Sequence, residues 1–179
     1  MLAERGLTLA LAALWLPESL PAEARQAAAE VTRELKSSGA DVKWVKLDLM
    51  HLTLKFLGDV SPASVEMLSQ MLNAEVSQHT SFALKFGGLG AFPNPRRPRV
   101  IWIGIQAPQE LAALHHSIEA ACTKLGYPAE KRPFSPHLTI GRVKNKTGPT
   151  GIHRIRDALQ GTQVGQLGST AVTAVQIFK

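Results

Sequence analysis

A chain of 179 residues with 45% hydrophobic and 19% charged residues has the size and composition of one globular domain with a substantial core. Its one cysteine, Cys122, excludes an internal disulfide and a cysteine-rich metal site, and it favours a reducing, cytoplasmic location. The formal net charge of +6 favours a polyanionic partner such as nucleic acid, although a diffuse positive surface would explain it equally well.

An apolar run over residues 7–16 follows the first six residues of the chain. A short signal peptide is one interpretation, but Glu4 weakens the positive segment that should precede the run. The run is also too short to cross a membrane. We therefore predict a buried first strand that ends at Pro17, and no membrane association.

Turn residues divide the rest of the chain into further strands and helices. Helices are predicted at residues 21–38, 62–76, 108–125 and 152–160. Strands are predicted at residues 42–45, 51–58, 82–86, 100–105, 137–143 and 170–178. The remaining segments are a glycine-rich turn at 87–90, a rigid basic loop at 93–99 and an irregular basic stretch at 127–136, here called the lead-in segment. The order predicts an α+β fold with a loose internal duplication, built on one continuous core or two abutting sheets.

One pattern, His-apolar-Thr-apolar, begins at His51 and again at His137. Residue frequencies give roughly 0.07 chance copies in a chain of this composition, so two copies indicate a shared role. Alternate side chains of a strand point to opposite faces, so each histidine shares a face with its threonine, Thr53 or Thr139. Each of these HxTx tetrads would present an imidazole and a hydroxyl on a base of buried aliphatic residues.

Two opposed histidines provide an acid and a base without a metal, because the pKa of imidazole lies near neutrality. Hydroxyl donors beside them would stabilise the charge that develops on phosphate oxygens, so the constellation suits phosphodiester chemistry. No cluster of Asp, Glu and His metal ligands lies near either tetrad in the sequence. The other histidines lack the motif and are interpreted as surface or helix residues: His79, His115, His116 and His153.

The sequence also resembles the two-histidine phosphoesterases, and within them the RNA 2′,3′-cyclic phosphodiesterases, known too as the bacterial and archaeal 2′-5′ RNA ligase family. The resemblance extends through the Arg-Pro-Phe-Ser-Pro run before His137 and covers nearly the whole chain. The matching segments are residues 16–18, 48–58, 88–95, 99–102 and 131–143.

This resemblance implies a bilobal fold of two pseudo-symmetric lobes, each with an antiparallel sheet and helices, whose HxTx strands line a central cleft. It implies metal-independent, cofactor-free opening of an RNA terminal 2′,3′-cyclic phosphate to a 2′-phosphate, with 2′-5′ ligation as the reverse reaction. His51 would be the proton donor and His137 the proton acceptor, while Thr53 and Thr139 would bind phosphate oxygens. The residues alone do not distinguish the roles of the two histidines, since their settings in the sequence are nearly equivalent.

Residues near the second tetrad are candidates for binding an RNA end or a small cyclic nucleotide. Lys131 and Arg132 are the nearest cations. Phe134 is a candidate for stacking on a base, and so is Phe92, with core packing as the equal alternative for both. Two further aromatic residues, Phe56 and Trp102, could stack in the same way, but core positions are favoured for both. More distant basic candidates are Arg96, Arg97, Arg99, Arg142, Lys144 and Lys146.

Members of the family that this sequence resembles usually continue with another strand pair, whereas this sequence ends at Lys179. The expectation is one two-lobed domain over residues 1–179, either a short member or a truncated one, acting as a monomer. Two functional alternatives remain: a non-catalytic module that binds RNA ends, and a phosphodiesterase for another cyclic phosphate or a 2′-5′ linkage.

Overall fold

The computed structural model describes residues 7–16, 20–37, 39 and 41–178. Pro17 and Glu18 of the resembling segment, and the predicted helix end at Ser38, lie outside this part of the chain. The strands are β1 Leu7–Trp15, β2 Val42–Trp44, β3 His51–Val60, β4 Phe82–Phe92, β5 Val100–Gln106, β6 His137–Val143, β7 Gln166–Val172 and β8 Gln176–Phe178. The helices are α1 Ala22–Ser37, α2 Pro62–Val76, α3 Gln109–Lys124 and α4 Pro149–Gly161, with a 3₁₀ turn at Leu47–Leu49.

The strands form two antiparallel sheets, so the predicted α+β class is confirmed. One sheet has the order β3-β1-β8 and the other β2-β6-β5-β4-β7. Buried aliphatic residues from both sheets and the helices join one hydrophobic cluster, which includes Leu52, Leu84, Leu114 and Ile140. Within the described residues no helix combines the length and apolar character needed to cross a membrane.

The internal duplication is visible in how the sheets are built. The unit β1-α1-β3 in one sheet corresponds to β5-α3-β6 in the other, and in each unit the two strands pair antiparallel. The third strand of each unit comes from the other half of the chain, because β4 follows α2 but joins β5, and β8 follows α4 but joins β1. Each HxTx strand therefore belongs to a different sheet.

The predicted turn at residues 87–90 is wrong, because β4 continues through it. The register with β5 shifts between Phe86 and Leu89, which is the signature of a bulge, and Gly88 adopts φ +77° there. A Cβ on Gly90 would lie 2.3 Å from the ring of Trp102. The glycines thus let β4 bulge and approach an indole closely, while the strand itself is not interrupted.

Two predictions near the C-terminal end of the sequence also need correction. The single strand expected at residues 170–178 is two strands, since β7 pairs with β4 and β8 pairs with β1 in the other sheet. Apolar residues continue through the break, with Val175 and Ile177 packing against the core, so alternation alone hides it. Helix α4 begins at Pro149, three residues before the predicted start at residue 152, because proline is favoured in a first helical turn.

Candidate active site

The two tetrads occupy equivalent positions at the start of their strands. β3 begins at His51 and β6 at His137, and the first seven residues of both strands show the same order of buried and accessible side chains. The histidines and the threonines two residues later, Thr53 and Thr139, are half-buried, while the residues between them are buried. The predicted sharing of a face by each His-Thr pair is therefore present in the structure.

A bulge lies at the last residue of the first tetrad. Thr53 pairs with Ala13 and Lys55 with Ala12, so Leu54 is the extra residue that has no partner of its own in β1. Leu54 and Lys55 are both buried, and the alternation is reversed beyond them. Phe56 consequently returns to the face of His51 and Thr53 and is 54% exposed. The expectation that Phe56 packs in the core is wrong.

The second tetrad has the same bulge at the same position. Thr139 pairs with Trp102 and Gly141 with Ile101, which leaves Ile140 as the extra residue. Arg142 is thereby brought to the face of His137 and Thr139, where its side chain is exposed. Strict period-two alternation would place Arg142 on the opposite face. Its position beside His137 could therefore be predicted only by someone who already knew of the bulge.

Both imidazole rings are oriented in the same way. Nδ1 of His51 lies 2.9 Å from the carbonyl oxygen of Leu49, and Nδ1 of His137 lies 2.7 Å from that of Ser135. A carbonyl oxygen only accepts hydrogen bonds, so Nδ1 donates its proton in both rings. The proton that a reaction would move is therefore the one at Nε2 of each histidine.

The surroundings of His137 favour its neutral form. Phe92 meets the imidazole edge-on at a ring-centroid distance of 4.9 Å, and Trp102 lies 6.4 Å away. Burial lowers the pKa of His137 most, and the positive charges of Arg142 and His51 lower it further, against the opposing effect of the Ser135 carbonyl. The strands that carry the two histidines, β3 and β6, are in contact with each other. Trp102, expected in the core, is only half-buried.

The lead-in segment carries the other predicted binding residues. Phe134 is half-buried and stacks on His115 of α3, with ring centroids 3.9 Å apart and planes 12° apart. Lys131 is exposed. Arg132 forms an ion pair of 3.1 Å with Glu130, and the hydrogen bonds from Arg132 lower the pKa of Glu130 to about 2. Arg132 therefore already has a carboxylate partner, and nothing in the sequence predicted this pairing.

The structure thus brings both His-Thr pairs to strands in contact, and it adds Phe56 and Arg142 to the same faces. Across the described ranges, no group of three or more His, Cys, Asp or Glu side chains is arranged to hold a metal ion. A cavity of about 420 Å³ lies between α1 and the segment joining β2 to β3, but neither histidine lines it. No residue of either tetrad lines this cavity, so the candidate site on the faces of β3 and β6 lies outside it.

Comparisons with known proteins agree with the duplicated pattern. The family model described as LigT like Phosphoesterase matches residues 14–102 and 103–176, and each segment contains one HxTx strand. The RNA 2′,3′-cyclic phosphodiesterase of Methanothermobacter thermautotrophicus is 34% identical over 143 residues, which cover 80% of this chain and 76% of the relative. The protein of the same name from Archaeoglobus fulgidus is 39% identical over 122 residues, covering 68% of this chain and 67% of the relative.

Solved structures have the same fold. A protein of Thermus thermophilus superposes with a TM-score of 0.74 at 23% identity, covering 95% of this chain and 87% of that one. E. coli LigT complexed with 3′-AMP gives a TM-score of 0.65 at 25% identity, covering 95% and 86% of the two chains. The first comparison concerns the fold alone, and the second adds a neighbour that binds a nucleotide.

Proposed function

The chain belongs to the LigT-like phosphoesterase family, and on that premise we propose that it hydrolyses RNA terminal 2′,3′-cyclic phosphate to a 2′-phosphate. The observation that carries the proposal is the twofold presentation of a histidine and a threonine by β3 and β6, with both imidazoles oriented by a backbone carbonyl. Relatives that share more than a third of their residues over the matched length carry this activity in their names.

The reaction needs one proton removed and one delivered. A water molecule attacks phosphorus as Nε2 of His137 takes a proton from it, so a P–O bond to the water oxygen forms. The bond between phosphorus and the ribose 3′ oxygen breaks, and that oxygen takes a proton from Nε2 of His51. The product is a 2′-phosphate with a free 3′ hydroxyl, and the two histidines exchange protonation states.

The assignment of roles follows from the environments of the rings. A base must be neutral before the reaction, and burial lowers the pKa of His137, which favours its neutral form near pH 7. His51 then takes the role of the acid. The roles implied by the family resemblance are therefore supported by a physical difference that the sequence alone does not contain.

The hydroxyls of Thr53 and Thr139 stabilise the reacting phosphate. Each lies two residues from its histidine on the same face, so each donates to a non-bridging oxygen as charge builds up there. Arg142, brought to this face by the bulge, adds a fixed positive charge beside the second pair. Preorganised donors of this kind need little rearrangement in the transition state.

The rest of the substrate is held by the residues around the two pairs. Phe56 presents an exposed aromatic ring for stacking on the terminal base. Phe134 offers a second ring for stacking, of which one face is covered by His115. Lys131 contacts the phosphate backbone, and Arg132 does so when it is released from Glu130. The enzyme is proposed to act as a cytoplasmic monomer without metal or cofactor, on RNA ends or small cyclic nucleotides.

The testing experiment is hydrolysis of a short RNA ending in 2′,3′-cyclic phosphate, in EDTA, with the product isomer identified by NMR. We expect a 2′-phosphate at an undiminished rate in EDTA. A strict requirement for a divalent metal would contradict the mechanism, and a 3′-phosphate would change the bond that breaks. Binding of the RNA without turnover would favour a non-catalytic module that binds RNA ends. Turnover of other cyclic phosphates or of 2′-5′ linkages, but not of this RNA, would favour a phosphodiesterase with a different substrate.

A further inference from the structure

Lys55 follows the first tetrad and is only 3% exposed, which is unusual for a lysine. The bulge at Leu54 turns it away from the face of His51 and into the core. Its Nζ donates to Oε2 of Glu119 on α3 at 2.9 Å and also to the carbonyl oxygen of Pro128 in the lead-in segment. One cation of the first HxTx strand is therefore bonded to the segment that precedes the second.

Glu119 depends on these contacts for its orientation. Its Oε2 also accepts from the backbone N–H of Glu130 at 3.4 Å, so the carboxylate too is bonded to the lead-in segment. Its Oε1 is buried and has no hydrogen-bond partner among the described residues. A partly buried carboxylate with one oxygen unsatisfied is costly, and the other oxygen of Glu119 is bonded to both β3 and the lead-in segment.

The same face of α3 also holds the end of the lead-in segment nearest the active site. His115 precedes Glu119 by four residues and so lies on the same side of the helix. It stacks on Phe134, and the next residue, Ser135, provides the carbonyl that orients His137. The lead-in segment is otherwise irregular and largely exposed. Besides these contacts, the N–H of Ile105 donates to the Pro136 carbonyl at 3.3 Å and ties the last residue of the segment to β5.

We propose that Lys55 and Glu119 are positioning residues, which hold the lead-in segment against α3 so that the Ser135 carbonyl aims the imidazole of His137. The proposal rests on the proposed function, because it concerns the orientation of the base in that reaction. The second tetrad has no counterpart to Lys55: the matching position is Gly141, where a Cβ would lie 2.7 Å from Val42 and 2.9 Å from Trp44. In this proposal the first HxTx strand helps to position the histidine of the second strand, and Gly141 offers no equivalent contact to the first.

The test separates positioning from stability with two variants. In Lys55→Met/Glu119→Leu, apolar side chains of similar size replace the buried pair, a change that usually preserves stability. We expect a Tm within about 5 °C of wild type. We expect kcat on 2′,3′-cyclic AMP to fall about 10- to 100-fold through misplacement of the base, and KM to change less than about threefold.

The control variant, Glu119→Gln, keeps an oxygen that accepts from Lys55 and from the Glu130 N–H but loses the compensating charge. We expect a lower Tm and, at a temperature where the variant is folded, a kcat within about threefold of wild type. A purely structural pair would give the opposite pattern, in which kcat follows Tm. Wild-type kcat in the stable double variant would overturn the proposal.

Amide hydrogen exchange keeps this test independent of the reaction itself. We expect faster exchange at residues 130–135 in Lys55→Met/Glu119→Leu, with unchanged exchange in the core of α3. Unchanged exchange in residues 130–135 would overturn the positioning role even if the variant were slow. If the wild-type protein does not hydrolyse cyclic phosphate, the proposed function fails, and the exchange result still decides whether the pair holds the lead-in segment.

Discussion

The two HxTx strands have the same motif, the same bulge and the same burial, but different neighbours. Among the described residues β3 is at the end of its sheet and pairs with β1, so Ala13 is the cross-strand neighbour of Thr53. β6 lies between β2 and β5, and Trp102 is the neighbour of Thr139. A duplicated motif has thus been placed in two unlike environments, one beside a small side chain and one beside an indole.

This difference separates the chemistry of two identical side chains. The aromatic residues Phe92 and Trp102 flank His137, and its burial lowers its pKa, which suits a base. The bulges also place different side chains on the two histidine faces, an aromatic ring at Phe56 and a cation at Arg142. In the proposed mechanism, the motif therefore provides the reactive groups, and the sheet around each copy favours one of the two roles.

The strongest test of this difference between the two HxTx strands is to remove each histidine in turn. His51→Ala and His137→Ala should each lower kcat/KM on a cyclic-phosphate RNA by about 10³-fold, since acid and base both act in one step. The double variant should lose little more than either single one, because the pair acts as a unit. His153→Ala, on the exposed face of α4, is the matched control and should keep wild-type activity.

A nucleoside phosphodiester with a 4-nitrophenolate leaving group distinguishes the two histidines. This leaving group needs no proton, so the acid becomes dispensable while the base does not. His51→Ala should then lose less than about tenfold, and His137→Ala should still lose about 10³-fold. The reverse result would exchange the two assignments.

The motif and most of the elements were predictable from the sequence because they depend on local signals. The strand start at His137 and the helix start at Pro62 follow from turn chemistry and apolar periodicity, and both are confirmed. The paired bulges were not predictable, since an extra residue in a strand leaves no mark in an otherwise regular apolar pattern. That is why Phe56 was expected in the core, and why Arg142 was only one of several basic candidates.

Thr53→Val and Thr139→Val test whether the hydroxyls of the two strands are equivalent. Valine keeps the shape and removes only the donor, so each variant should lose about 10- to 100-fold in kcat with a smaller change in KM. We expect Thr53→Val to lose more, because Arg142 remains beside Thr139 to compensate. Circular dichroism and Tm confirm that each variant is folded, and equal losses would mean that Arg142 does not share the role of Thr139.

Phe56→Ala tests the exposed aromatic residue of the first strand. Loss of base stacking should raise KM for cyclic nucleotides about 5- to 20-fold and leave kcat nearly unchanged. Met67→Ala is the matched control, because Met67 is a large apolar side chain on α2 that is 47% exposed. A KM effect of similar size in both variants would indicate a general change of the surface, and base stacking would then not explain the result.

Environment and contacts over long sequence distances account for the rest of what could not be predicted. Glu130 and Arg132 lie two residues apart, yet only the irregular backbone of the lead-in segment turns them towards each other. Lys55 and Glu119 are 64 residues apart, and no local pattern pairs them. The pKa of His137 likewise depends on burial in the folded chain and on charges that include that of His51 in the other half of the chain. That is why the sequence left the acid and the base unassigned.

The smallest expected effect concerns pH. His137 must be neutral to act, so kcat/KM should rise with pH through its pKa, and this acid limb should lie below the roughly 6.5 of an ordinary histidine. Arg142→Gln removes a positive charge that lowers this pKa, so the pKa of His137 should rise. The limb should then move to higher pH by less than about one unit. Arg96→Gln, in the basic loop, should leave it in place.

Phe92→Ala should move the same limb further than Arg142→Gln does, because burial is the largest cause of the lowered pKa and Phe92 lies 4.9 Å from the imidazole ring. Opening the ring to water stabilises its charged form, which raises the pKa towards the value of an exposed histidine. The direction is the same in both variants, but only the effect of Arg142 should shrink in high salt, since screening acts on charges and leaves burial unchanged. A limb that moves more in Arg142→Gln than in Phe92→Ala would mean that charge, and not the aromatic environment of β6, makes His137 the base.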